Sequence, residues 1–83
     1  MTTDVGHTGQ GELQRLVNAL FSCAKRVDRL DAVVLAKTND LEPDLLEIVN
    51  LLPPKTMTRA QMTDQLNSSL AAHGWAKRFG IVS

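Results

Sequence analysis

From Glu12 onward, Leu13, Leu16, Val17, Leu20, Phe21 and Ala24 recur at three- and four-residue steps. That spacing gathers side chains on one face of a helix, and Glu12 places an acidic group in the first turn, where the helix dipole favours it. The pattern continues through Val27, Leu30, Val33, Val34 and Leu35, and Leu16, Leu20, Cys23, Val27, Leu30 and Val34 keep an alternating four-three spacing. Two readings compete: a single helix over about 12–37, or two helices broken near Ser22–Lys25 with Asp28 opening the second. Helices average about 11–12 residues, so the break is preferred. Ala32–Ala36 also reads as a strand, Ala-Val-Val-Leu-Ala, but no other segment offers it a partner.

Thr38-Asn39-Asp40 is a turn. Pro43 suits a first helical turn, where its missing N–H costs nothing. Leu45, Leu46, Ile48, Val49, Leu51 and Leu52 follow, apolar on nearly every side, which predicts a short helix central to the core. Pro53-Pro54 stops it. Thr58 is a good N-cap, and Gln61 three residues later completes a capping box. Met62, Leu66 and Leu70 then step by four along one face, and Gly74 reads as the C-terminal cap. Trp75, Phe79 and Ile81 supply apolar bulk for a short last helix, with Trp75 expected in the core. Residues 1–10 hold little to bury besides Val5 and read as a flexible leader. No internal repeat is visible. The expectation is an all-α, compact bundle of four to six short helices, formed by one domain over 11–83.

Composition agrees with a single small core. The chain has 83 residues and a hydrophobic fraction of 43%, and a chain so short buries only about 60% of its unfolded surface. Phe21, Trp75 and Phe79 are the aromatics apart from histidine, and there is no Tyr, so Leu, Val, Ile, Ala and Met must build the core. The one cysteine, Cys23, excludes an internal disulfide and reads as a small buried hydrophobe. No apolar run approaches the ~18 residues of a membrane span, and the polar N-terminus has no secretory h-region. A cytoplasmic protein is expected, without a membrane partner.

Catalytic and metal chemistry find no footing. His7 lies in the leader, His73 lies beside a helix end, and no His/Cys/carboxylate cluster has ligand spacing. Ser68 and Ser69 share a helix with His73, and no nucleophile elbow accompanies them. Gly6, Gly9 and Gly11 lie in the leader rather than in a phosphate-cradling loop. No enzyme activity and no cofactor are expected.

Charge is balanced overall, nine basic against nine acidic residues, but unevenly placed. Residues 38–52 hold Asp40, Glu42, Asp44 and Glu47 and no base; residues 53–83 hold Lys55, Arg59, Lys77 and Arg78 against Asp64 alone. Asp40, Asp44 and Glu47 share a face if their helix starts early enough. Lys25, Arg26 and Arg29 form a basic group, and Lys77-Arg78 a second. These eight residues are candidate protein-binding positions, because opposite patches set register and steer encounter. The alternative function is a small helix-turn-helix DNA-binding regulator, with Arg59, Gln61, Gln65 and Asn67 as base-contacting types on the helix after Thr58. Against it stand the lone cation of that helix and the acidic helix before it, a poor arrangement for phosphate, so no nucleic-acid partner is expected.

The spacing Leu16-Val17…Leu20-Phe21, Arg29-Leu30…Val33-Val34, Leu41, Leu45…Ile48-Val49 and the terminal His73-Gly74-Trp75 before Phe79 resembles the effector-associated domains of bacterial conflict and signalling systems. The resemblance covers most of the chain after the leader. The Leu51-Leu52-Pro53-Pro54 ending departs from it. It implies a death-fold-like helical adaptor with no catalytic residue. It also implies a partner protein carrying a similar helical domain, with self-association as one form of the contact.

Overall fold

In the computed structural model, which describes residues 11–83, helix α1 runs Glu12–Leu20 and buries Leu13, Leu16 and Val17. The proposed leader, residues 1–10, lies outside the described residues. The helix stops where the break was expected. The Ser22 hydroxyl donates to the Ala19 carbonyl at 2.8 Å, a local bond that competes with helical continuation. Strand β1 (Arg26–Val27) follows, and Asp28 caps α2 (Arg29–Thr38), its carboxylate accepting the Asp31 N–H at 2.9 Å. Helix α3 spans Pro43–Asn50 with the proline in its first turn. Strand β2 (Met57–Thr58) leads into α4 (Arg59–Ala72), which starts with the full Thr58–Gln61 capping box. The short α5 spans Ala76–Phe79. Five helices and one small sheet are thus described, an all-α class with the expected helix number.

The sheet was not anticipated. β1 and β2 pair antiparallel, Arg26 opposite Thr58 and Val27 opposite Met57, and Val27 and Met57 are both buried. Each strand passes directly into a capped helix. Each of those helices ends in the same way: the Leu41 N–H reaches the Ala36 carbonyl and Asp40 reaches Lys37, while Trp75 reaches Leu70 and Gly74 reaches Ala71. This crossed pair of bonds closes the last turn around a left-handed residue, here Asp40 at φ 54° and Gly74 at φ 72°. A strand–helix–turn–helix order therefore occurs twice, although the two segments share no visible sequence repeat.

The core lies where these elements converge. Leu45, Ile48 and Val49 of α3 face Met62, Leu66 and Leu70 of α4, within one cluster completed by α1, the two strand residues, Phe79 and Val82. Several expectations change here. Ala32–Ala36 is helical, not a strand. Within α2 it is Ala32 and Ala36 that turn inward, while Leu30 and Val34 are 68% and 55% exposed. The four-three apolar spacing runs unbroken through the sequence, but the turn at Ser22–Lys25 resets the helical phase, so α2 presents a new face. Cys23, placed in that turn, is exposed rather than buried. Leu51, expected in the core helix, is the C-cap of α3 and 51% exposed. Trp75 is half-buried, packed against the core's edge.

Candidate protein-interaction surface

Seven of the eight nominated charged residues fall into two regions with different chemistry, and the eighth, Lys77, stands exposed on α5. At the acidic region, Asp40 sits in the α2–α3 turn rather than on a helix, because α3 begins only at Pro43. Asp40 therefore does not share a helical face with Asp44 and Glu47, as it would had the helix started earlier. Asp44 and Glu47 do lie one turn apart on α3.

Those two carboxylates are engaged within the fold. Arg78 of α5 donates to Asp44 at 2.8 Å through Nη1 and to Glu42 through Nη2. Its guanidinium carbon also lies 4.5 Å from the centre of the Phe79 ring, a favourable stacking position for a planar cation. Glu47 lies 3.3 Å from His73 Nε2, whose Nδ1 is 2.9 Å from the Ser69 carbonyl. Both contacts are hydrogen bonds only when both ring nitrogens carry protons. The His73 ring lies 4.6 Å from that of Trp75, and Trp75 meets Phe79 edge-on at 6.0 Å. Arg78 and the acids, nominated as separate contact patches, thus meet each other and stitch α3 to α5. Glu42 and His73 complete this network. Sequence spacing gave no signal for them, since Arg78 and Asp44 are 34 residues apart.

The second region is built around the start of α2. Lys25 and Arg26 are exposed where the chain enters β1, and Arg29 is the first residue of α2. Arg29 Nη1 donates to the Leu52 carbonyl at 3.5 Å. A groove of about 270 Å³ runs between the α2 start and the loop after Pro53, lined by Asp28, Arg29, Leu30, Pro54, Lys55 and Thr56. Lys55 therefore joins the nominated basic group across this groove. Leu30 and Val34, one turn apart, extend from the groove along the outer side of α2, with Lys37 about one turn further on. Among the described residues, Lys25, Arg26, Lys37, Lys55 and Lys77 enter no salt bridge.

Exposed aliphatics of this size, one turn apart and bordered by cations, are the feature that the apolar spacing had assigned to the core. The clue present in the sequence is the pair of alanines: Ala32 and Ala36 are also four apart. Small residues at the inner face allow α2 to approach its neighbours closely. Val33 and Leu35 flank that inner face and pack against the core, and Leu30 and Val34 are left outside.

Comparison with known protein families, curated proteins and solved structures finds no match.

Proposed function

We propose that this chain is a protein–protein interaction module, an adaptor that docks a similar helical domain and thereby recruits an effector or signalling protein. The observation that carries the reading is the outer side of α2, where Leu30 and Val34 stand exposed, with Arg29, Lys55 and Asp28 lining the groove at Leu30 and Lys25 and Arg26 exposed in the chain just before α2. Covering a large aliphatic side chain completely stabilises by about 1.5–3 kcal/mol, so this pair is a useful contact centre. The surrounding cations suit a partner surface bearing carboxylates, which would steer encounter and fix orientation. Asp40 of a second copy is exposed and enters no salt bridge among the described residues, and it supplies such a carboxylate, which makes self-association the simplest form of the contact. A cytoplasmic adaptor with no catalytic role, as the resemblance to effector-associated domains implies, fits this surface.

The base-reading alternative is weakened because three of its four nominated side chains are used within the fold, Gln65 alone being exposed without such a bond among the described residues. Arg59 is bonded to Ser83 and Asn18, Gln61 to Thr58, and Asn67 to Val82. The two readings separate in one experiment. Reversal of Lys25 and Arg26 to Glu should slow association and remove most of its salt dependence, while the parent shows no appreciable affinity for duplex DNA at physiological salt. Salt-sensitive duplex binding that disappears in Arg59→Ala would favour the regulator instead.

A further inference from the structure

Residues 81–83 form no helix or strand and are held by two side-chain amides, one on α1 and one on α4, that pair with the backbone as a neighbouring strand would. Asn67 of α4 donates to the Val82 carbonyl at 2.9 Å and accepts the Val82 N–H at 2.8 Å. Gln14 of α1 does the same for Ser83, donating at 2.9 Å and accepting at 3.0 Å. Arg59 adds two bonds to that same Ser83 oxygen, from Nε at 3.2 Å and Nη2 at 2.9 Å. Asn18 accepts from both Gln14 and Arg59, so these donors are held together by a group that does not touch the segment. Val82 is 5% exposed and fills the core between the amides, whereas Ile81 is 72% exposed. Consecutive peptide units are thus read through their backbones, with one apolar position for a β-branched side chain.

We propose that Gln14, Asn67 and Arg59 form a peptide-docking slot that accepts residues 81–83 from a second copy as well as from their own chain, so that two copies can pair by exchanging this segment. The chain's own segment shows what fits: a stretch with valine at its centre and a carbonyl or carboxylate oxygen facing Arg59. The segment connects to α5 through Gly80, whose φ of 80° and ψ of 162° direct it back into the slot. Only that hinge distinguishes the two arrangements, since the slot contacts are identical whichever copy supplies the segment. Exchange of a short element is a low-cost route to dimers, and it is sensitive to hinge residues. The slot is formed by α1 and α4 and is independent of the outer side of α2.

The hinge supplies the test. A Cβ at Gly80 meets nothing within 4 Å, so a side chain has room there, but φ 80° with ψ 162° is a backbone region essentially confined to glycine. Gly80→Val in the full chain should weaken docking in its own slot by on the order of tenfold and leave the slot itself intact. With Leu30→Lys and Val34→Lys present throughout to remove association through α2, sedimentation of Gly80→Val should show a folded, concentration-dependent dimer where the chain with Gly80, at matched concentrations, holds at least tenfold less dimer. Adding Asn67→Ala should return it to monomer, and excess acetyl-Gly-Ile-Val-Ser peptide should compete the dimer apart. Gly80→Asn should dimerise as Gly80→Val does, because asparagine tolerates the left-handed α region but not a positive φ with ψ near 160°. If Gly80→Val proves too unstable to fold, Gly80→Ala carries the same test at milder strain. A Gly80 variant that stays folded and shows no gain in dimer over the parent, or a dimer indifferent to Asn67→Ala, overturns the proposal.

Discussion

Arg78 illustrates how a charge that reads as a contact patch in sequence can be spent within the fold. Arg78 is half-exposed and Asp44 more than a third exposed, while Glu42 is largely covered; exposed pairs such as Arg78–Asp44 contribute little, about 0.2–1 kcal/mol. A double-mutant cycle on Asp44→Ala and Arg78→Ala, read by denaturant unfolding, should give a coupling inside that range; a coupling well above it would mean that the network carries the fold. Asp44→Lys with Glu47→Lys should lower the melting temperature as well as alter contacts, because it sets a cation against Arg78. Contact effects are therefore read more cleanly from Lys25 and Arg26, which enter no salt bridge among the described residues. Cys23 makes a second test at this scale. As an exposed thiol, it should be modified stoichiometrically by a thiol reagent in the native protein, without denaturant. Protection until unfolding would contradict its position in the α1–β1 turn.

At the level of elements, α3 and its cap provide a graded test of burial. Ile48 is fully buried while Leu51 is half-exposed. Ile48→Ala should destabilise by about 2–5 kcal/mol, enough to threaten so small a domain, whereas Leu51→Ala should stay within about 0.5 kcal/mol, as surface substitutions do. Equal losses at the two positions would mean that the orientation of α3 is wrong. The features of these elements that were legible in sequence are the local ones. The Thr58–Gln61 box, Pro43 at a helix start, Gly74 past a helix end and the break near Ser22–Lys25 all act within a few residues of themselves. The features that were hidden depend on distant partners. Arg26–Val27 and Met57–Thr58 are too short to announce a sheet and become strands only by pairing across 30 residues. The phase of α2 is likewise set by what Ala32 and Ala36 pack against, and the docking of Val82 and Ser83 by amides on α4 and α1 respectively.

For the molecule as a whole, the charge segregation seen along the sequence becomes an asymmetry of surfaces. The acidic turn and α3 are partly neutralised by α5, while the β1–α2 end keeps its cations beside exposed aliphatic side chains. The nominated residues were therefore informative about the basic end and less so about the acidic one, since pairing across 34 residues leaves no trace in local spacing. An adaptor surface needs an apolar centre with a charged rim, and the outer side of α2 is where this chain has both. The most direct test is sedimentation equilibrium over a dilution series, comparing the parent with Leu30→Lys, Val34→Lys. The parent should associate reversibly, and the double variant should remain monomeric with an unchanged helical circular-dichroism spectrum and melting temperature. A parent that stays monomeric throughout, or a double variant that associates as tightly as the parent, would contradict the assignment of this face as the docking surface.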